Sequence, residues 1–174
     1  FLIIFNLRLF IGLSRRLMTM KPITAKVLYM IYSVITGVTF SYVIASYTSF
    51  SVALAFLVAA IYFGVLVVLG TVIKNGSTRI GTICLAGLFV YIIFLVIVMI
   101  FHLGMGTLIM PLISLALFAG ITAYDMQKSL QLYNHASSNP ENVRKNLSIF
   151  GAFNLYLDFV NIFLDILQLL GDNK

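Results

Sequence analysis

Charge is what this sequence has least of. Eleven Lys and Arg and five Asp and Glu make up 9% of 174 residues, where a soluble domain carries about 25%. That scarcity excludes an ordinary soluble fold. There is one cysteine, Cys84, inside an apolar run, so no disulfide framework exists, and a lone thiol there reads as a small packing residue. No cysteine cluster, His-Glu-x-x-His, Gly-Lys-Ser/Thr phosphate loop or Gly-x-Ser-x-Gly elbow occurs, which sets aside zinc, nucleotide and serine-hydrolase chemistry. No Ser and His pair at matching depth for intramembrane serine proteolysis. Strand-like alternation and sequence repeats are absent as well.

What fills the chain is apolar. Hydrophobic residues make up 61%, mean hydropathy is +1.09, and several runs approach the ~20 residues that cross a bilayer. The expected fold is an all-α polytopic helical bundle, one transmembrane domain over residues 1–174. Six spans are expected, at 1–13, 27–45, 52–73, 80–101, 107–124 and 147–170. Phe1 opens in the middle of an apolar run, which reads as a chain lacking an earlier helix. Gly37 and Ser41 form a small-xxx-small pair suited to close helix approach. Pro111 reads as an initiating or kinking residue. Residues 126–146 are expected to be the one long polar loop, turning at Ser137-Ser-Asn-Pro140.

Orientation follows from the basic residues. Arg15, Arg16, Lys21, Lys26, Lys74, Arg79, Lys128, Arg144 and Lys145 lie in three alternating loops, and the turns at 46–51 and 102–106 have none. The three basic loops are therefore cytoplasmic. The net charge of +6 is topogenic and implies no nucleic-acid partner. His102 reads as an interfacial residue of an outer turn.

The last span carries the exception to all this apolarity. Asn154, Asp158, Asn161, Asp165 and Gln168 stand 4, 3, 4 and 3 residues apart, which on a helix puts them on one face. An acid within a span costs about 2.5–3.5 kcal/mol to insert and is a functional candidate by default. Asp158 is the strongest, flanked by long apolar stretches and about 16 Å along the helix from its start. Asp125, after Tyr124, reads as either a functional acid or an interfacial residue at the cytoplasmic end of its helix. Asp165 reads as snorkelling towards the outer surface or hydrating a vestibule. Arg8 and Arg15, seven residues apart, share a helix face from which either could reach an acid; Arg16 reads as a loop charge.

The segments Ala119-Gly120-Ile-Thr-Ala-Tyr124-Asp125-Met-Gln127-Lys128 and Gly151-Ala-Phe-Asn-Leu-Tyr156-Leu-Asp158-Phe-Val-Asn161, ending at Leu170-Gly171, resemble the Bax inhibitor family of transmembrane proteins, nearest its bacterial members. Thr36-Gly37-Val-Thr39 and Ser77-Thr-Arg-Ile-Gly81 add to the resemblance. It implies seven helices with the last one central, of which this chain holds the second to the seventh, and a bacterial inner-membrane location. It also implies a pH-sensitive calcium leak. In that scheme Asp125 and Asp158 share a proton beside the path and bind Ca²⁺ transiently. Arg15 latches onto the pair, with Arg16 or Arg8 as alternatives, and Asn154 and Asn161 support it. The loop between Arg16 and Lys26 is longer than in typical bacterial members, and Asp165 departs from the family pattern as a third acid. No enzyme activity and no cofactor are implied.

Elementary chemistry is compatible with that picture. Calcium takes carboxylate and amide oxygens, a leak needs weak binding, and two close carboxylates titrate as a pair. Two other readings stand beside it. One is a non-conducting regulator that binds other membrane proteins, such as a quality-control protease. The other is an intramembrane aspartyl protease using Asp125 and Asp158, although the second acid lies in Tyr-Leu-Asp rather than Gly-x-Gly-Asp and no Pro-Ala-Leu element follows.

Overall fold

Proline and hydroxyl residues set the helix starts. In a computed structural model that describes residues 21–72, 77–101, 108–135 and 140–171, Pro22 opens α1 (Pro22–Ala45) behind Lys21, where the missing N–H is harmless. Thr48 caps α2 (Ser49–Val72), its Oγ1 accepting the Ser51 N–H at 3.3 Å. The third helix, α3, runs Ser77–Phe101. Pro111 falls within the first turn of α4 (Ile109–His135), so it initiates rather than kinks. Pro140 precedes α5 (Glu141–Leu170), whose first turn holds Glu141, favourable at a helix N-terminus. All five helices are long and apolar enough to cross a membrane. The expected span at 1–13, and with it Arg8, Arg15 and Arg16, lies outside the described residues, as does His102.

The expected polar loop at 126–146 is corrected. α4 continues through Lys128 to His135 and α5 begins at Glu141, so most of those residues are helical. Polarity there marks where the helices leave the apolar layer, and their backbone hydrogen bonding continues past that point. Arg144 Nη2 donates to the Tyr133 hydroxyl at 3.0 Å and ties the two extensions together. The other boundaries shift similarly, α1 starting at Pro22 rather than Val27.

Two helices share the centre. α5 packs on α1, α2 and α4, while α4 packs on α2, α3 and α5; the expectation of a central last helix therefore needs α4 added. Aromatic rings fill the α5 contacts. Phe153 meets Tyr29 and Tyr32 of α1 edge-on at 5.3 and 5.0 Å, and Phe159 meets Phe56 and Phe63 of α2 at 5.6 and 5.5 Å. Each such pair adds about 0.5–1.5 kcal/mol beyond burial. Between α3 and α4 the fit is reciprocal: a side chain at Gly81 would collide with the Tyr124 ring, and one at Gly120 with Cys84. Close approach of this kind drives association where lipid is as apolar as the helices. Gly37, by contrast, has nothing within 4 Å of where a side chain would stand, and Ser41 is exposed, so this pair makes no helix contact among the described residues.

The two ends of the bundle differ. Lys26, Arg144 and Lys145 line one cavity together, which brings basic residues from two of the expected cytoplasmic segments to the same end. At the other end Gly171 packs against Tyr47, so the tail of α5 lies beside the uncharged turn between α1 and α2. Large apolar side chains such as Ile23, Phe50, Ile83 and Phe89 point outward from the bundle, as lipid contact requires.

Candidate functional site

The site lies on the seam between α4 and α5, where a polar ladder has an antiparallel register. Ser129 packs against Gly151, Thr122 faces Asp158 and Ser114 stands beside Asp165. Descending α4 by seven and then eight residues matches ascending α5 by seven and seven. Two turns of helix separate successive rungs, about 10.5 Å on α5 at 1.5 Å per residue. On the first rung Gly151 makes room for Ser129; on the other two, Thr122 and Ser114 of α4 face the acids of α5.

Asp158 is 4% exposed and Thr122 is fully buried. The Thr122 hydroxyl faces the carboxylate without closing a hydrogen bond, and Asp158 Oδ2 has no partner among the described residues. Asp125 lies one turn beyond Thr122 on the same face of α4, half-buried and close enough to Asp158 for the two carboxylates to act on each other electrostatically. Lys128, three residues on, acts on it electrostatically and lies 5.5 Å from the Tyr124 ring centroid. Asp125 is not at a helix end, as its position after a long apolar run suggested: ten further residues of α4 follow it.

The rest of the stripe divides. Asn154 is half-buried one turn before Asp158. Asn161 donates its amide N–H to the Leu157 carbonyl at 2.8 Å, so that donor serves its own helix. Gln168 is exposed. Asp165 is corrected in one respect: at 9% exposure it does not snorkel to the surface of the described bundle, because α3 and α4 cover it with Tyr91 and Ser114. The candidate latches Arg15, Arg16 and Arg8 lie outside the described residues.

Three hydroxyl residues had no place in the sequence expectations. Thr122 and Ser114 stand three and eleven residues before Asp125, helical spacings that place them on its face and could have been read. Tyr91 carries no signal in the sequence, since it sits in a strongly apolar span. Among the described residues no three His, Cys, Asp or Glu converge as a metal cage, so a cation would meet a sparse set of oxygens from different helices.

The chain has relatives in several bacteria. It is similar to the inner membrane protein YbhL of Escherichia coli K12, 33% identical over 177 residues, covering 99% of this chain and 74% of the relative. An uncharacterised protein of Deinococcus radiodurans is 36% identical over 172 residues, 97% of this chain and 72% of the relative. Another from Rickettsia prowazekii is 32% identical over 165 residues, 95% and 67%. No solved structure matches the chain. Five apolar helices and the likeness to an inner membrane protein make this an integral multi-pass protein of the bacterial inner membrane. The family described as "Inhibitor of apoptosis-promoting Bax1" matches residues 1–174, and the chain belongs to this Bax inhibitor family.

Proposed function

We propose that this protein is a pH-sensitive calcium leak controlled by the Asp125–Asp158 pair. The supporting observation is the buried Asp158 carboxylate with a partnerless Oδ2 among the described residues, set against a second acid from the neighbouring helix. A buried acid of this kind is costly and contributes nothing to packing that a leucine would not. Two interacting carboxylates titrate as a unit. With one proton the pair attracts a cation weakly; with none it carries two charges and attracts it strongly. Calcium is the permeant substrate, held in passing by carboxylate oxygen, and an arginine at 8, 15 or 16 supplies the opposing charge.

Reconstituted liposomes with a trapped calcium dye test this reading. Calcium entry that falls to the protein-free rate in Asp125→Asn/Asp158→Asn supports it. Equal entry in wild type and double variant rejects the pair, and no entry in either, with other membrane proteins co-purifying, favours the non-conducting regulator. Cleavage of a helical peptide that either substitution abolishes would instead identify a protease.

A further inference from the structure

The geometry points to a second cation-binding station on the outer half of the bundle, formed by Asp165 of α5, Ser114 of α4 and Tyr91 of α3, which takes a partly hydrated hard cation such as calcium. Asp165 is the third rung of the ladder, two helical turns outward from Asp158, about 10.5 Å. It is more than nine-tenths buried. Its Oδ2 has no hydrogen-bond partner among the described residues, and none of them forms an ion pair with it. A buried carboxylate normally has a hydrogen-bonded or charged partner, so this one is built to receive something.

What surrounds Asp165 is oxygen. Ser114 stands within hydrogen-bonding reach of its carboxyl group. The Tyr91 hydroxyl is close to both and is anchored by donating to the Met110 carbonyl at 3.1 Å, in the first turn of α4. Three helices thus converge on one point with a carboxylate, two hydroxyls and a carbonyl nearby. α2, which also packs on α5, has no Asp, Glu, Lys, Arg or His along Ser49–Val72, so it sends no countercharge. Oxygen donors without nitrogen or sulfur select hard cations. Few protein oxygens leave water in the remaining positions, which makes binding weak and exchange fast, as a waystation needs. Only the station's place along a path rests on the leak reading; binding itself does not.

The chain has nine tyrosines and no tryptophan, so terbium(III), a luminescent substitute for calcium, is sensitised here by tyrosine alone. Terbium is titrated into the detergent-purified full chain, and tyrosine-excited terbium emission is recorded. Asp125→Asn/Asp158→Asn is expected to retain a saturable emission that excess calcium displaces. Adding Asp165→Asn should weaken that binding by about tenfold or more, Asp165→Glu should restore most of it, and Tyr91→Phe should dim the emission severalfold by removing the adjacent sensitiser. Undiminished emission in Asp165→Asn overturns the station, as does complete loss in the Asp125→Asn/Asp158→Asn protein. Should Asp165→Asn fail to fold by circular dichroism and gel filtration, Tyr91→Phe decides: unchanged emission overturns it. Failure of the leak reading shows separately, as calcium flux that ignores Asp125 and Asp158.

Discussion

Replacing Asp158 by Asn should make the protein more stable. The carboxylate is 4% exposed, lacks a partner on Oδ2 and faces a Thr122 hydroxyl that closes no hydrogen bond with it. At a pH where the pair has lost its proton, a charged Asp at this depth costs about 2.5–3.5 kcal/mol on insertion scales, and the comparison of Tm is made there. The amide keeps the shape and removes the charge, and its own desolvation, about 1–3 kcal/mol, is partly offset when its N–H donates to Thr122 Oγ1. The net gain is about 1 kcal/mol, or ~2–4 °C in Tm for a chain of this length. Cys84 provides the assay. It is the one thiol, half-buried and packed on Gly120, so a thiol-reactive dye in detergent reports the loosening of α3 from α4. A Tm lowered by 2 °C or more would mean instead that the carboxylate holds a stabilising partner. A gain in Tm together with lost flux is the trade expected of a functional acid.

Two further outcomes use the same assay. Gly81→Ala should lower Tm, since the added methyl meets the Tyr124 ring and overpacking costs about 1–3 kcal/mol; Gly37→Ala, with nothing within 4 Å, should leave it unchanged or raise it, alanine being the better helix former. If both substitutions shift Tm alike, the packing assignment fails. Lys145→Ala should leave Tm unchanged despite the 2.6 Å contact with Glu141, because both side chains are more than half exposed and exposed pairs contribute little; a clear drop would show that the pair holds the start of α5.

The apolar runs made the helices legible, and the four- and three-residue spacing from Asn154 to Gln168 made the polar face of α5 legible. Boundaries are less legible, because polarity in the sequence does not mark the end of a helix. Lys128 to His135 are polar and still helical, since a helix that leaves the apolar layer keeps its backbone bonds. For the same reason Asp125 reads in the sequence as a helix end. The burial of Asp165 is not legible in the sequence, because depth along one helix says nothing about what neighbouring helices cover; Ser114 and Tyr91 come from two other elements. Thr122 was within reach of the periodicity that singled out Asp125. Gly37, with Ser41, is a motif for helix contact that meets no helix among the described residues.

In the function proposed here, proton occupancy of the Asp125–Asp158 pair sets calcium passage, and the deciding measurement is the pH profile of calcium flux in liposomes. Wild-type protein should show flux that changes steeply with pH as the pair gains and loses its proton, while Asp158→Asn and Asp125→Asn should each flatten that dependence. A profile of unchanged shape and midpoint in both variants would contradict the account.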